Sequence, residues 1–141
     1  MKRACVIVTG GAQGIGAAVA RRLAANDFNV AVFDRERDAG ETLAAEITGC
    51  CAFFEVDVSD ESSVKLGIEA VSKHFGRIDA LVNNAGISDP DTGALESLSL
   101  AQWNRIIGTN LTGYFLCAKH ALHLIRQRPG GTIINIASTR A

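Results

Sequence analysis

The feature that most restricts how this chain can fold is a run of glycines set directly between an apolar strand and an amphipathic helix. Ala4 to Val8 is a short apolar run, and beyond it Ile15, Ala18, Val19 and Leu23 fall on one helical face. Between them stands Thr9-Gly10-Gly11-Ala12-Gln13-Gly14-Ile15-Gly16. Glycines leave no side chain in the way of an approaching group, and the free amides at a helix start favour negative charge, so such a turn accepts a pyrophosphate. Gly10, Gly14 and Gly16 are the leading candidates, with Gln13 and Ile15 beside them in the loop. A tight turn whose glycines serve only helix packing is the competing explanation.

The rest of the chain repeats the alternation of strand and helix. Val30 to Phe33 reads as a strand, Leu43 and Ile47 mark a helix, and Ala52 to Phe54, leading to Val56, reads as the next strand. Val64, Ile68, Val71 and Phe75 have helical spacing, with Ser59 or Asp60 as the N-cap. Ile78 to Val82 gives a fourth strand, and the turn formers from Ser88 to Gly93 a longer surface loop. Ser99 and Gln102 have capping-box spacing, flanked by Leu98 and Trp103 as a hydrophobic staple. A fourth helix therefore begins near Leu100 and runs to about Arg128, where Pro129-Gly130-Gly131 stops it. Thr132 to Ile136 supplies a fifth strand. Strands apolar along their length and joined by helices imply a parallel sheet covered on both faces by right-handed crossovers. The fold class is α/β, a doubly wound parallel sheet of the Rossmann kind, with five strands and one domain over residues 1–141.

Composition narrows the function classes. Apolar residues make up 48% and charged residues 21%, and fourteen Lys and Arg stand against fifteen Asp and Glu, which argues against disorder and against an electrostatic nucleic-acid binder. The first apolar run is cut by Thr9-Gly10-Gly11 too early for a signal peptide, and no stretch approaches a membrane span, so a cytoplasmic protein is expected. The four cysteines, Cys5, Cys50, Cys51 and Cys117, form no C-x-x-C pair and read as small apolar residues in a reducing compartment. Cys117, His120 and His123 would spread over about 240° of a helix, which does not suit a metal.

Asp34 ends the second strand, roughly twenty residues beyond Gly16, where a carboxylate accepts hydrogen bonds from the adenosine ribose hydroxyls; it points to NAD, although the same residue also suits an Asx turn. At Asn83-Asn84-Ala85-Gly86, after the fourth strand, a second motif appears in register with the first, and the chain resembles the short-chain dehydrogenase/reductase family from its first strand through its fifth. The resemblance implies that Asp57 and Val58 hold the adenine edge, and that Asn83, Asn84, Ala85 and Gly86 stabilise the sheet and approach the cofactor. It implies that Asn110 holds a water in a proton relay, and that Ser138 orients the substrate. From the residues alone, Asp57 also suits a helix cap, Asn110 a buried amide bonded to backbone, and Ser138 a turn.

The family pattern next requires Tyr-x-x-x-Lys on a following helix, and the sequence given ends at Ala141. Tyr114 and Lys119 do not replace it, being about 140° apart on a helix, and Tyr114 reads as a packing residue. The expectation is a truncated NAD-binding part of an oxidoreductase, inactive by itself, with an alcohol or carbonyl substrate only in the complete protein. A noncatalytic dinucleotide-binding module and a subunit used only for its surface are the alternatives. The fourth helix is apolar nearly all round, and the fifth strand presents an apolar edge, so a homo-oligomer is expected, with neither nucleic acid nor membrane as partner.

Overall fold

The computed structural model of the chain describes residues 3–88 and 94–138. The turn-rich segment expected after the fourth strand lies, apart from Ser88, outside the described residues. Among the described residues no helix is long and apolar enough to cross a membrane.

The first unit is β1 (Cys5–Thr9), α1 (Gly14–Ala25) and β2 (Asn29–Asp34). Next come α2 (Arg37–Glu46), β3 (Cys51–Glu55), α3 (Glu61–Phe75) and β4 (Ala80–Asn83). A short 3-10 turn at Leu95–Ser97 leads to α4 (Leu100–Ile107), which passes through a π-helical turn at Gly108–Thr112 into α5 (Gly113–Ile125) and on to β5 (Thr132–Asn135). The sheet is wholly parallel, in the order β3-β2-β1-β4-β5. The chain thus winds outward from β1 to one edge, crosses back, and continues to the other edge.

This winding explains why β1 is apolar from Cys5 to Val8 and buried throughout. Cys5 and Ile7 point into a core shared with Val64, Ile68 and Val71 of α3 and Leu116, Cys117 and Ala121 of α5. Val6 and Val8 point into the opposite core, with Ala17 and Ala20 of α1 and Leu43 of α2. Burial pushes the Cys5 and Cys117 thiols up to about 12, as fits residues used for packing. Gly40 lets α2 lie directly on the sheet, since a Cβ there would stand 2.1 Å from the ring of Phe53.

Local signals set the helix ends. Asp60, of the two candidates, caps α3 by accepting from the Ser62 and Ser63 amides, and Gly76 ends it with φ of +75°. Ser99 and Gln102 form the reciprocal capping box of α4. The expected single fourth helix is corrected in two respects: it ends at Ile125, and the π turn divides it. Tight approach accompanies that turn, because a Cβ on Gly113 would stand 2.8 Å from Val58 Cγ2, and a π bulge changes the rotation of a helix without ending it. The fifth strand ends at Asn135, although the Ile136 amide still donates to the Asn83 carbonyl at 2.9 Å.

Asp79 binds the starts of β1 and β4 together. Its carboxylate accepts from the Cys5 amide at 2.8 Å and from both the Nε and Nη2 of Arg77, at 2.8 and 2.5 Å. Burial alone would raise this carboxyl, but the Arg77 and Cys5 hydrogen bonds outweigh it and hold the group below the usual carboxylate range. A carboxyl lowered on folding stabilises fully at neutral pH and loses that contribution as pH falls through the carboxylate range. Asp79→Asn should therefore cost about 1–3 kcal/mol in urea unfolding at neutral pH, with the gap to wild type narrowing between roughly pH 5 and pH 3. A gap that stays constant over that range would remove Asp79 as the cause.

Candidate functional site

The three motif glycines perform different tasks. Gly16 sits against the turn itself, where a Cβ would stand 2.1 Å from the Gly10 carbonyl oxygen, and a Cβ on Gly10 would stand 2.8 Å from Ala85 Cα. Gly14 has φ of +56° and nothing within 4 Å of where its Cβ would be, so its bare Cα faces open space. Gln13 at the N-cap of α1 makes no side-chain capping bond, and the first turn of the helix carries no acidic residue. The helix start therefore keeps its amides and its positive dipole end available to an anion.

Thr9, Asn83 and Asn84 hold this turn to the exit of β4. The Thr9 hydroxyl oxygen accepts from the Asn84 and Ala85 amides, both at 3.0 Å. In return Asn84 Nδ2 donates to the carbonyls of Thr9 and Gly10, at 3.0 and 3.1 Å. Asn83, buried in the sheet, donates to Asn135 Oδ1 at 2.9 Å and to the Tyr114 carbonyl at 3.3 Å, joining β4 to β5 and α5. Thr9 is a residue that sequence reasoning missed as a site member. It stands at the head of the glycine motif, but nothing in the spacing says that its hydroxyl reaches across the sheet.

Between these loops lies a cavity of about 440 Å³. Gly10, Gln13 and Ile15 line one part, Asp34, Asp57 and Val58 another, and Asn84, Ala85 and Gly86 a third. Phe33 and Thr109, which the sequence did not single out, line it too, as does Arg35, the cation whose position beside Asp34 tells against an NAD preference in the sequence. Asp34 does form the turn that its residue type suggests, with Oδ1 accepting from the Arg35 and Glu36 amides at 2.8 and 3.1 Å, while Oδ2 accepts from Ala12 in the glycine turn at 3.0 Å. The Asx turn is thus present, and the same carboxylate lines the cavity. Asp57 does not cap α3; its Oδ1 accepts from the amide and hydroxyl of Ser59, at 2.9 and 2.6 Å, and its Oδ2 lies 3.7 Å from Arg35. Burial would raise the Asp57 carboxyl, but the Ser59 bonds and the Arg35 charge bring it below its ordinary value.

Asn110 lies in the π turn and is exposed, not buried as one sequence alternative had it. Its Oδ1 accepts from the Ile87 amide at 2.8 Å and its Nδ2 donates to the Ile87 carbonyl at 2.9 Å. This reciprocal pair fixes the strand-exit loop at the cavity rim. Tyr114 is more than the packing residue expected: its hydroxyl donates to the Ile136 carbonyl at 2.9 Å, holding the chain beyond β5, and burial raises its phenol. Lys119 pairs with Glu61 at 2.6 Å, away from the cavity. Ser138 is exposed just beyond β5 and does not line the cavity. Parallel pairing nevertheless puts it on the sheet edge from which the glycine turn also leaves.

Comparison with known proteins adds an independent line. A family model described as short chain dehydrogenase matches residues 4–141. A Thermotoga maritima protein named "Uncharacterized oxidoreductase" is 39% identical over 138 residues, covering 96% of this chain and 53% of that protein. D-threitol dehydrogenase of Mycolicibacterium smegmatis is 38% identical over 138 residues, covering 96% of this chain and 52% of that protein. The chain spans about half the length of these curated relatives. The solved structure of 3-ketoacyl-(acyl-carrier-protein) reductase from Brucella melitensis complexed with NADH superposes with a TM-score of 0.92 at 31% identity, covering 96% of this chain and 57% of that one.

The Thr9 contacts give a direct test of how the cavity is held. Thr9→Val keeps the shape but strips two amides of their acceptor, and should cost about 2–4 kcal/mol in urea unfolding. Thr9→Ser, which keeps the oxygen, should recover most of it. Equal losses in the two variants would show that local packing, not the hydroxyl, sets the loss.

Proposed function

The chain belongs to the short-chain dehydrogenase family, and from that premise we propose that it forms the NAD site of an oxidoreductase acting on an alcohol or carbonyl compound, with NAD preferred over NADP. The observation that carries the coenzyme choice is the Asp34 carboxylate in the cavity, bonded to the glycine turn that leads into an uncapped helix start. A carboxylate has about four acceptor positions. Three of those on Asp34 are taken by the Ala12, Arg35 and Glu36 amides, which leaves room for a ribose hydroxyl and none for a second negative group.

The residues present fit a dinucleotide. The amides of the glycine turn and of the α1 start would hold the pyrophosphate, Asp34 the adenosine ribose, and Asp57 with Val58 the adenine edge. Asn84, Ala85 and Gly86 would line the remainder. The bound coenzyme supplies the acceptor or donor of a hydride. On the protein side, Ser138 would hold the substrate oxygen, and Asn110, already locked to Ile87, would position a water for proton movement. The 141 residues include no Tyr-x-x-x-Lys, so this polypeptide by itself should bind coenzyme without turning over substrate. The four free thiols, three of them buried, suit the reducing interior of a cell.

Self-association belongs to the same proposal. Leu111, Phe115 and Leu122 are exposed around the α4–α5 helix, as are Ile134 and Ile136 at the outer strand. Apolar side chains gathered at an open sheet edge favour pairing with another copy.

Titration of nicotinamide fluorescence should show NADH binding roughly tenfold or more tighter than NADPH, since facing like charges costs a kcal/mol or more. Asp34→Ala should narrow that difference, and equal affinities in the wild type would overturn the preference. Absorbance assays of the pure polypeptide over alcohols and ketones should show no turnover; measurable turnover would refute the inactivity. Light scattering should show an oligomer at micromolar concentration that Ile134→Lys dissociates, and a clean monomer would exclude the association.

A further inference from the structure

Among the described residues lining the cavity, Arg35 is the one cation, and it faces three anions there, Asp34, Glu36 and Asp57. Its backbone is fixed, because the Arg35 amide donates to Asp34 Oδ1, but its side chain is largely exposed. Asp57 approaches from a different loop, that between β3 and α3, and is anchored there: Ser59 holds its Oδ1 twice, and its own amide donates to Ser63 Oγ at 3.0 Å. The other carboxylate oxygen is the one that stands 3.7 Å from the Arg35 guanidinium. The neighbouring Arg37 is engaged elsewhere, with Glu41 and Glu55. The cavity therefore contains one adaptable cation and one fixed carboxylate aimed at it.

Resting on the coenzyme reading above, we propose that Asp57 sets coenzyme selectivity at a distance, by holding Arg35 away from the place where a 2′-phosphate would sit. An arginine beside the ribose-binding carboxylate is the group that ordinarily accommodates such a phosphate. With Asp57 charged, Arg35 has an internal partner, and a phosphate must displace it while adding negative charge to an already acidic pocket. Asp57 acts here as a positioning residue, since its effect on the phosphate passes through the guanidinium.

The test is a double-mutant cycle on the ratio of NADPH to NADH dissociation constants. Asp57→Asn keeps an oxygen for Ser59, and because any adenine contact is common to both coenzymes, its loss cancels in the ratio. Asp57→Asn should shift the ratio about three- to tenfold toward NADPH, the range expected when a partly exposed ion pair is released and a like charge removed. In an Arg35→Gln background the same substitution should shift it less than twofold. An unchanged ratio in Asp57→Asn, or a shift equally large without Arg35, overturns the proposal, the latter by showing that the field of Asp57 acts alone. Failure of the wild type to bind either coenzyme would instead sink the coenzyme reading itself. Urea unfolding of each variant without coenzyme reports separately whether the chain is still folded.

Discussion

The whole site depends on one buried contact across the middle of the sheet, the Thr9 hydroxyl oxygen receiving the amides of Asn84 and Ala85. In a doubly wound sheet, the loops leaving adjacent strands diverge where the winding reverses, and that divergence opens a crevice. Here the reversal falls between β1 and β4. A crevice left to itself has no fixed width, because each loop could relax independently. The Thr9 bonds, with the return bonds from Asn84 to the Thr9 and Gly10 carbonyls, set the separation of the two loops. The close approach of Gly10 to Ala85 is then possible only because Gly10 lacks a Cβ. Threonine, asparagine and glycine act as one unit, and the motif glycine owes its necessity to the loop across the crevice as much as to any ligand.

A second layer of support comes from outside the crevice. Asp79 ties the far ends of β1 and β4, so the two central strands are joined both where they begin and where they end. Asn83 extends the join to β5, and through the Tyr114 carbonyl to α5. The outer strand β5 is mostly exposed, in contrast to the fully buried β1. Stability is therefore graded across the sheet. The glycine turn rests on its most buried strand, while Ser138 follows its least covered one, so the strand-exit edge is held more firmly at the glycine turn than at Ser138.

Much of this was legible in the sequence, for identifiable reasons. Strand and helix order followed from apolar runs broken by glycines, and Ser99 with Gln102 announced the α4 capping box that the structure contains. Gly10, Gln13 and Ile15 of the glycine motif, Asp34, and Asn84 to Gly86 mapped onto one cavity because each sits at a strand exit, and parallel strands bring all such exits to one edge. What escaped were interactions that spacing does not encode. Thr9 bonds to residues more than seventy positions away, with separations of 75 and 76. Tyr114 is placed by its phenol reaching Ile136, and Arg35 by an ion pair to a residue on another loop. Such contacts depend on the sheet being assembled first, and a periodicity argument stops before that point.

The π turn shows how a departure from regular structure can follow from two requirements that one straight helix does not meet. The helix after it must lie close against the loop following β3, where Gly113 presses on Val58 and a Cβ would not fit. The same stretch must also deliver Asn110 to the loop following β4, where it takes both the amide and the carbonyl of Ile87. Both loops border the cavity, which Val58 and Ile87 line. An added residue in a single helical turn rotates everything beyond it by about 100°, enough to face Asn110 toward one loop while Leu116, Cys117 and Ala121 keep their buried side toward the sheet. The bulge is thus the local cost of having one helix touch both rims. It also explains why Asn110, an exposed residue with poor helix propensity, has a fixed side chain: each half of its amide already has its partner on the backbone it holds.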